Sequence, residues 1–282
     1  MVYRDVLLTA LTYPDATPDS ALRSGVALAK RLGGRLTLLS MQADVAGLHN
    51  AVANALIHLD RLSDLEEARS AAKAQLEATV ALIAAEIDHV GIQTETVKAK
   101  PCDEAETLCR AARTRDITLA PIGPAVLADR GLAETLLFES GRPVLIYPES
   151  ADIVAADRFA TVAIAWDGGR AAARAVADAL PILERAKQVR IFVALGEKPQ
   201  AVAGAALDLV RHLQTHGVAA LADERPGGDP SIGRRIADYV AATQPDLLVM
   251  GAFGHPRLHE FILGGATDAV LRAPPCPVLM SH

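Results

Sequence analysis

Four glycines and a threonine stand together late in the chain, as Gly251-Ala-Phe-Gly254 and, after a nine-residue gap, Gly264-Gly265-Ala266-Thr267. They follow a strand-like apolar run, Leu247-Leu248-Val249-Met250, and open what reads as a helix over 267–273. Glycines at a strand end let the backbone turn tightly and bring its N–H groups close to a ligand. A glycine pair at the next helix start adds free N–H groups and the positive end of the helix dipole. Such a backbone cradle suits phosphate oxygens. The spacing, G-x2-G-x9-G, is neither a Walker pattern nor the G-x-G-x-x-G of dinucleotide folds. Glycines at strand ends and before helices also serve simply as turn formers, and that reading stands beside the phosphate one.

Other reactive residue types are less organised. His255 and His259 are four apart, as are His212 and His216, without an evident third ligand, so no metal site is expected. Arg257, in the same loop as His255, fits either a phosphate contact or a solvated surface position. The three cysteines, Cys102, Cys109 and Cys276, form neither a disulfide framework nor a C-x-x-C metal signature. Cys102 and Cys109 fall on one face of an expected helix, as small buried hydrophobes.

Elements able to position the glycines emerge from hydrophobic patterning. The chain has 282 residues, 51% of them hydrophobic but only 4% aromatic, so its core is aliphatic. The formal net charge is −6 and the 28 Lys and Arg are scattered, which argues against nucleic acid as a partner. Residues 1–5 lead directly into a strand without the features of a secretory leader, and no apolar stretch approaches the roughly twenty residues of a membrane span, so a cytoplasmic location is expected.

The chain reads as two copies of one unit. Apolar runs at 6–10, 36–39, 92–99, 117–120 and 142–146 recur as 162–166, 189–193, 218–223, 247–250 and 276–280, alternating with helical patterns such as 20–32 and 171–185. Matching punctuation accompanies them: Gly91 and Gly217 precede strand three, and Asp116 and Asp246 precede strand four. Five buried runs alternating with helices predict an α/β fold with two doubly wound parallel five-stranded sheets. The ligand crevice of each is expected at the carboxyl ends of its strands. The expected domains are residues 1–150 and 157–282, joined by a linker over 148–158. Between strands two and three the first half carries a long segment, 43–90, with Leu56, Leu59, Leu62, Leu65, Leu76, Val80 and Ile83 at helical spacing. One long helix or a helix pair covering its own sheet is expected there, a partner-binding face being the lesser reading.

The doubled unit, the G-x2-G-x9-G spacing and the closing Pro-Val-Leu strands together resemble a tandem universal stress protein. The resemblance spans essentially the whole chain and is most specific in its second half. It implies strand order 3-2-1-4-5 in each sheet, on an adenine nucleotide alpha hydrolase-like fold, with an adenine nucleotide at the carboxyl edge in some members. By that resemblance Asp167, ending strand one of the second half, faces Gly251, ending strand four. Asp167 would then hold the adenosine, and Gly251, Gly254 and Gly264 the phosphates; an N-cap role for Asp167 is the alternative. The family commonly has Ser or Thr after the last motif glycine, where this chain has Gly265. Thr267 either supplies the missing hydroxyl or caps the helix. The resemblance also implies that the last strands, near 144–147 and 278–281, lie side by side as an intramolecular pseudo-dimer, leaving open a further homodimer. Apolar strands of this kind need cover at a sheet edge, which points the same way.

The first half has lost the motif. Pro121-Ile-Gly123-Pro124 replaces Gly251-Ala-Phe-Gly254, Arg130-Gly131 replaces Gly264-Gly265, and Leu11 and Thr12 stand where Asp167 does. Proline has no N–H to offer. Arg130 brings a charge that attracts anions and a side chain that crowds the close approach. No nucleotide is expected in this half. The resulting expectation is a stress-response protein whose second half binds ATP, with or without Mg, or a related adenine nucleotide as a regulatory ligand read by an unidentified protein partner. Alternatives are a nucleotide-free scaffold or small-ligand binder, and a very slow ATP hydrolase; little or no turnover is expected.

Overall fold

The computed structural model describes residues 3–10, 17–43, 59–86, 91–99, 103–123, 127–199, 201–226, 231–252 and 265–282. Leu11, Thr12, Leu56, Cys102, Pro124, Gly254, His255, Arg257, His259 and Gly264 lie outside the described residues. The strands are β1 (Asp5–Ala10), β2 (Arg35–Ala43), β3 (Ile92–Ala99), β4 (Ile117–Ile122), β5 (Val144–Pro148), β6 (Thr161–Ala165), β7 (Gln188–Ala194), β8 (Ala220–Arg225), β9 (Leu247–Gly251) and β10 (Val278–Ser281). The helices are α1 (Asp19–Leu32), α2 (Leu59–Glu86), α3 (Glu104–Ala112), α4 (Leu127–Glu139), α5 (Arg170–Leu183), α6 (Ala205–Thr215), α7 (Ile232–Thr243) and α8 (Gly265–Arg272).

The strand order is β3-β2-β1-β4-β5-β10-β9-β6-β7-β8. Read inward from each outer edge, each half follows the expected order 3-2-1-4-5. One correction is needed: the two expected sheets are a single ten-stranded sheet. Within each half the pairing is parallel, and the halves meet through an antiparallel pair, β5 with β10. Both strands are buried and apolar, and leaving either at an open edge would expose apolar side chains beside unpaired backbone groups. Leu145 lies opposite Leu279, with Val144 opposite Met280 and Ile146 opposite Val278. Because Leu145 and Leu279 are equivalent in the repeat, the register is that of a two-fold contact.

The repeated aspartates do the same work twice. Asp116 Oδ2 accepts from the Arg4 and Asp5 N–H groups at 2.7 and 3.0 Å, tying the start of β4 to the start of β1. Asp246 Oδ2 accepts from the Ala160 and Thr161 N–H groups at 2.7 and 2.8 Å and from the Thr161 hydroxyl at 3.1 Å. Each therefore pins the two strands between which the ligand crevice opens at the other end.

Residues 59–86 form one helix rather than a pair. Its Leu76, Val80 and Ile83 are buried in the cluster containing Val26 and Leu22 of α1, so it covers its own half. The Thr79 hydroxyl donates to Asp19 Oδ1 at 3.1 Å, adding a polar tie to α1. The side chains of Leu59, Leu62 and Leu65 lie outside the described residues. In the second half the short α6 fills the same interval. Among the described residues no helix is long and apolar enough to cross a membrane.

Asp116→Ala and Asp246→Ala should each lower the unfolding free energy by about 1–3 kcal/mol, the cost of stranding paired backbone donors. Urea denaturation of both variants checks this, and a loss under about 0.5 kcal/mol in either would remove that aspartate's structural role.

Candidate functional site

At the carboxyl ends of β6 and β9 lies a cleft of about 190 Å³. It sits where strand order reverses, between strands one and four of the second half, as expected of a doubly wound sheet. Ala165, Phe192 and Met250 contribute apolar strand ends, and Ile232 and Ile236 of α7 form an apolar flank. Trp166 lines one side with its Nε1–H donating to the Ala205 carbonyl at 3.3 Å. Tyr239 of α7 stacks on Phe192 with ring centroids 4.5 Å apart and so braces that wall. Burial raises the Tyr239 hydroxyl to a pKa of about 12, so it stays a neutral phenol.

Four of the predicted residues converge here: Asp167, Gly251, Gly265 and Thr267 all line the cleft. Gly254 and Gly264, the other two, fall outside the described residues. Asp167 follows the end of β6. Gly168 after it has φ of +71°, a left-handed conformation suited to glycine, and turns the chain into α5. The Gly169 N–H donates to Asp167 Oδ1 at 2.8 Å. Gly169, not Asp167, is the N-cap of α5, so the capping alternative is corrected: Asp167 closes a local turn two residues before that N-cap. Its other oxygen forms an ion pair with Lys198.

The glycines divide by physical role. A Cβ on Gly251 would meet the Ala172 backbone nitrogen and lie 2.6 Å from the Ala171 carbonyl carbon. Gly251 is thus required by the close passage of α5 over the end of β9, which is the structural reading of that glycine. Gly265 differs: a Cβ there would meet only Ile232 Cγ2, at an ordinary 3.6 Å. Thr267, 3% exposed, is buried in the first turn of α8. The first-turn N–H groups of α8 adjoin the cleft, so the helix presents its positive end there.

Lys198 is a cationic lining residue that motif spacing did not reveal. It lies in the loop after β7 with neighbouring Glu197, and both line the cleft. Arg235 on α7 approaches Glu197 at 3.8 Å, so adjacent loop residues are held to opposite walls. The usable signal was positional: loops after parallel strands gather at one edge of the sheet, and Lys198 follows strand two of the half bearing the motif.

Residues 158–282 match the universal stress protein family. These residues are the half of the chain that carries the cleft. A universal stress protein from Archaeoglobus fulgidus DSM 4304 has the same fold over 99% of this chain and 97% of its own, with a TM-score of 0.69 at 17% identity. A protein assigned to the same family from Pseudomonas aeruginosa UCBPP-PA14 covers 99% of this chain and 93% of its own, with a TM-score of 0.53 at 15% identity. A protein of unknown function from Pseudomonas aeruginosa PAO1 covers 98% and 92%, with a TM-score of 0.51 at 15% identity. No curated protein matches the sequence.

The match to the universal stress protein family begins at residue 158, and the motif position of the first half is built differently. Pro121 pairs with Tyr147 of β5 but lies beyond Leu119, the last β4 residue paired with β1, so its missing N–H costs no ladder bond. Arg130 is engaged by two carboxylates, Glu134 at 2.8 Å and Asp268 at 2.7 Å. Among the described residues no group of three or more His, Cys, Asp or Glu could hold a metal ion. His212 and His216 face each other with ring centroids 5.0 Å apart on the exposed end of α6. Burial pushes the Cys109 and Cys276 thiols up to about 11 and about 12, so neither is a ready thiolate.

The two described motif glycines of the cleft should respond unequally to one added methyl. Gly251→Ala should cost about 1–3 kcal/mol because backbone must move, whereas Gly265→Ala should change stability by under about 1 kcal/mol. Thermal or urea unfolding of both variants reads the contrast; equal costs would refute it.

Proposed function

We propose that the universal stress protein domain, residues 157–282, binds an adenine nucleotide as a regulatory ligand in a cytoplasmic stress-response protein, with residues 1–150 as a second, degenerate copy. The observation that carries this reading is the meeting of Asp167, Gly251, Gly265 and Thr267 with the cation Lys198 in one cleft. Apolar walls from Phe192, Met250 and Ile236 suit a base, and the α8 N-terminus suits a phosphate. Asp167 is placed to accept from ribose hydroxyls if Lys198 releases it, and Lys198 is then free for phosphate oxygens. The residues therefore fit a nucleotide, with an acceptor for its ribose hydroxyls and a cation and free N–H groups for its phosphates.

The described walls enclose less than the roughly 300 Å³ at which drug-sized ligand pockets usually begin. That volume suits the nucleoside part of the ligand, with phosphates projecting toward α8. Mg, if it accompanies a triphosphate, would arrive with the ligand. Hydrolysis requires a positioned water and a base, and Asp167, already tied to Lys198 and Gly169, is a poor base. We therefore favour binding without appreciable turnover. Its regulatory effect would come from different affinity for two arrangements of the protein, read by a partner.

A nucleotide-free scaffold is the second reading, favoured by the absent hydroxyl at Gly265 and by the Asp167–Lys198 pair that occupies the cleft's own polar groups.

The test is to denature freshly purified protein and analyse the released material for nucleotides by chromatography and mass, then titrate Mg-ATP, ADP and AMP by calorimetry. About one nucleotide per chain is expected from a single site. Protein that is empty and also binds none of the three would overturn the nucleotide reading and leave the scaffold. A second expectation follows from the space at Gly265: Gly265→Ser should tighten nucleotide binding several-fold, roughly one added hydrogen bond, without loss of stability.

A further inference from the structure

We infer that Arg130, in the first half of the chain, is a positioning residue for the second half's cleft: its guanidinium neutralises the Asp268 carboxylate beside the anion-facing start of α8. The inference rests on the nucleotide reading above and adds to it a role for the half that has lost its own motif.

Asp268 is the fourth residue of α8, one position after Thr267 of the cleft wall. A carboxylate in a helix's first turn favours the helix itself, because it faces the positive dipole end. For the same reason it opposes an incoming phosphate, as a like charge beside the same N–H groups. Two arginines hold that charge. Arg272, on the next turn, donates to Asp268 Oδ2 at 2.8 Å, but its side chain is 66% exposed. Arg130, on α4, donates to Asp268 Oδ1 at 2.7 Å and is 18% exposed. Solvent and salt screen the exposed partner more than the sheltered one, so the cross-half contact adds a neutraliser that solvent weakens less.

Arg130 is itself fixed. Its Nε donates to Glu134 Oε1 at 2.8 Å, which leaves the outer edge of the guanidinium directed at Asp268. Burial disfavours the Asp268 charge, yet the hydrogen bonds from Arg272 and Arg130 outweigh it and hold the carboxyl below its ordinary value. Asp268 is therefore a persistent anion, and its effect on a neighbouring ligand depends on what pairs with it. In the repeat, Arg130 stands where the second half has Gly264. The side chain that obstructs a cradle in one half is thus delivered, across the β5–β10 seam, to the helix that forms the cradle in the other.

Charge neutralisation and simple bracing predict opposite signs for one substitution. The full chain is titrated by calorimetry with ADP and with adenosine, as wild type, Arg130→Gln, Arg130→Lys, Asp268→Asn and the Arg130→Gln/Asp268→Asn double variant, with thermal melts confirming folding. Arg130→Gln should weaken ADP about tenfold, the order expected for one unmasked charge at a partly exposed site, and leave adenosine unchanged. Arg130→Lys should lose less. Asp268→Asn should bind ADP as tightly as wild type or tighter, and the double variant should return to it. If Asp268→Asn weakens ADP as Arg130→Gln does and the double variant shows no recovery, Arg130 is only a brace and the inference is overturned. Wild-type ADP binding that Arg130→Gln leaves unaltered also overturns it. No binding of ADP by the wild type would overturn the nucleotide reading, and this inference with it. Should Arg130→Gln fail to fold, the sign of the Asp268→Asn effect still decides.

Discussion

The backbone pairing of β5 with β10 is the contact on which the rest of the molecule depends. Each half, built alone in the order 3-2-1-4-5, would end in a short apolar strand with one unpaired side. Joining those strands antiparallel covers both edges and places Leu145 opposite its equivalent Leu279. The sheet then continues across the seam, and the helices flanking it are forced into proximity. Arg130 of α4 thereby meets Asp268 of α8, and Phe138 at the end of α4 meets His282 edge to face at 4.9 Å. Farther from the seam, Tyr3 donates to the Asp178 carbonyl and Arg31 lies 5.5 Å from the Phe159 ring centroid. The two halves are consequently one packed body rather than beads on a linker.

Within that body, glycine has two distinct uses. Gly251 and Gly233 allow helices to approach: Gly251 sits under the start of α5, and a Cβ at Gly233 would collide with Ala269 of α8. Gly168 supplies a left-handed turn. Gly265 answers to neither demand, since its neighbours leave room for a side chain. Among the described glycines of the motif it is therefore the one whose identity bears more directly on what approaches α8 from solvent. Of the motif glycines among the described residues, one is thus a packing glycine and the other is open to solvent.

The two halves differ at their strand ends and agree at their strand starts. Asp116 and Asp246 bind equivalent backbone donors, at the edge of the sheet opposite the crevice. At the crevice edge, Pro121 and Arg130 depart from the glycine pattern, and Arg130 is turned to the neighbouring half. Such a division is physically reasonable: strand starts secure the sheet in both halves, whereas strand ends are constrained only where something must bind.

Much of this was legible in the amino-acid sequence. Buried parallel strands must be apolar along their length, so the runs at 162–166 and 247–250 announced themselves, and the paired Asp and Gly punctuation exposed the repeat. Gathering Asp167, Gly251, Gly265 and Thr267 at one crevice followed from strand order, because parallel strands deliver their carboxyl ends to a single edge. Three things were decided only by tertiary packing. Whether two sheets become one depends on the register of two short strands distant in sequence. Whether Gly251 serves a ligand or a helix depends on how closely α5 passes over it. The partners of Lys198 and Arg130 depend on long side chains that reach across loops and across the seam. Local sequence encodes the period and polarity of each element, but it carries no record of which charges meet when separate elements fold together.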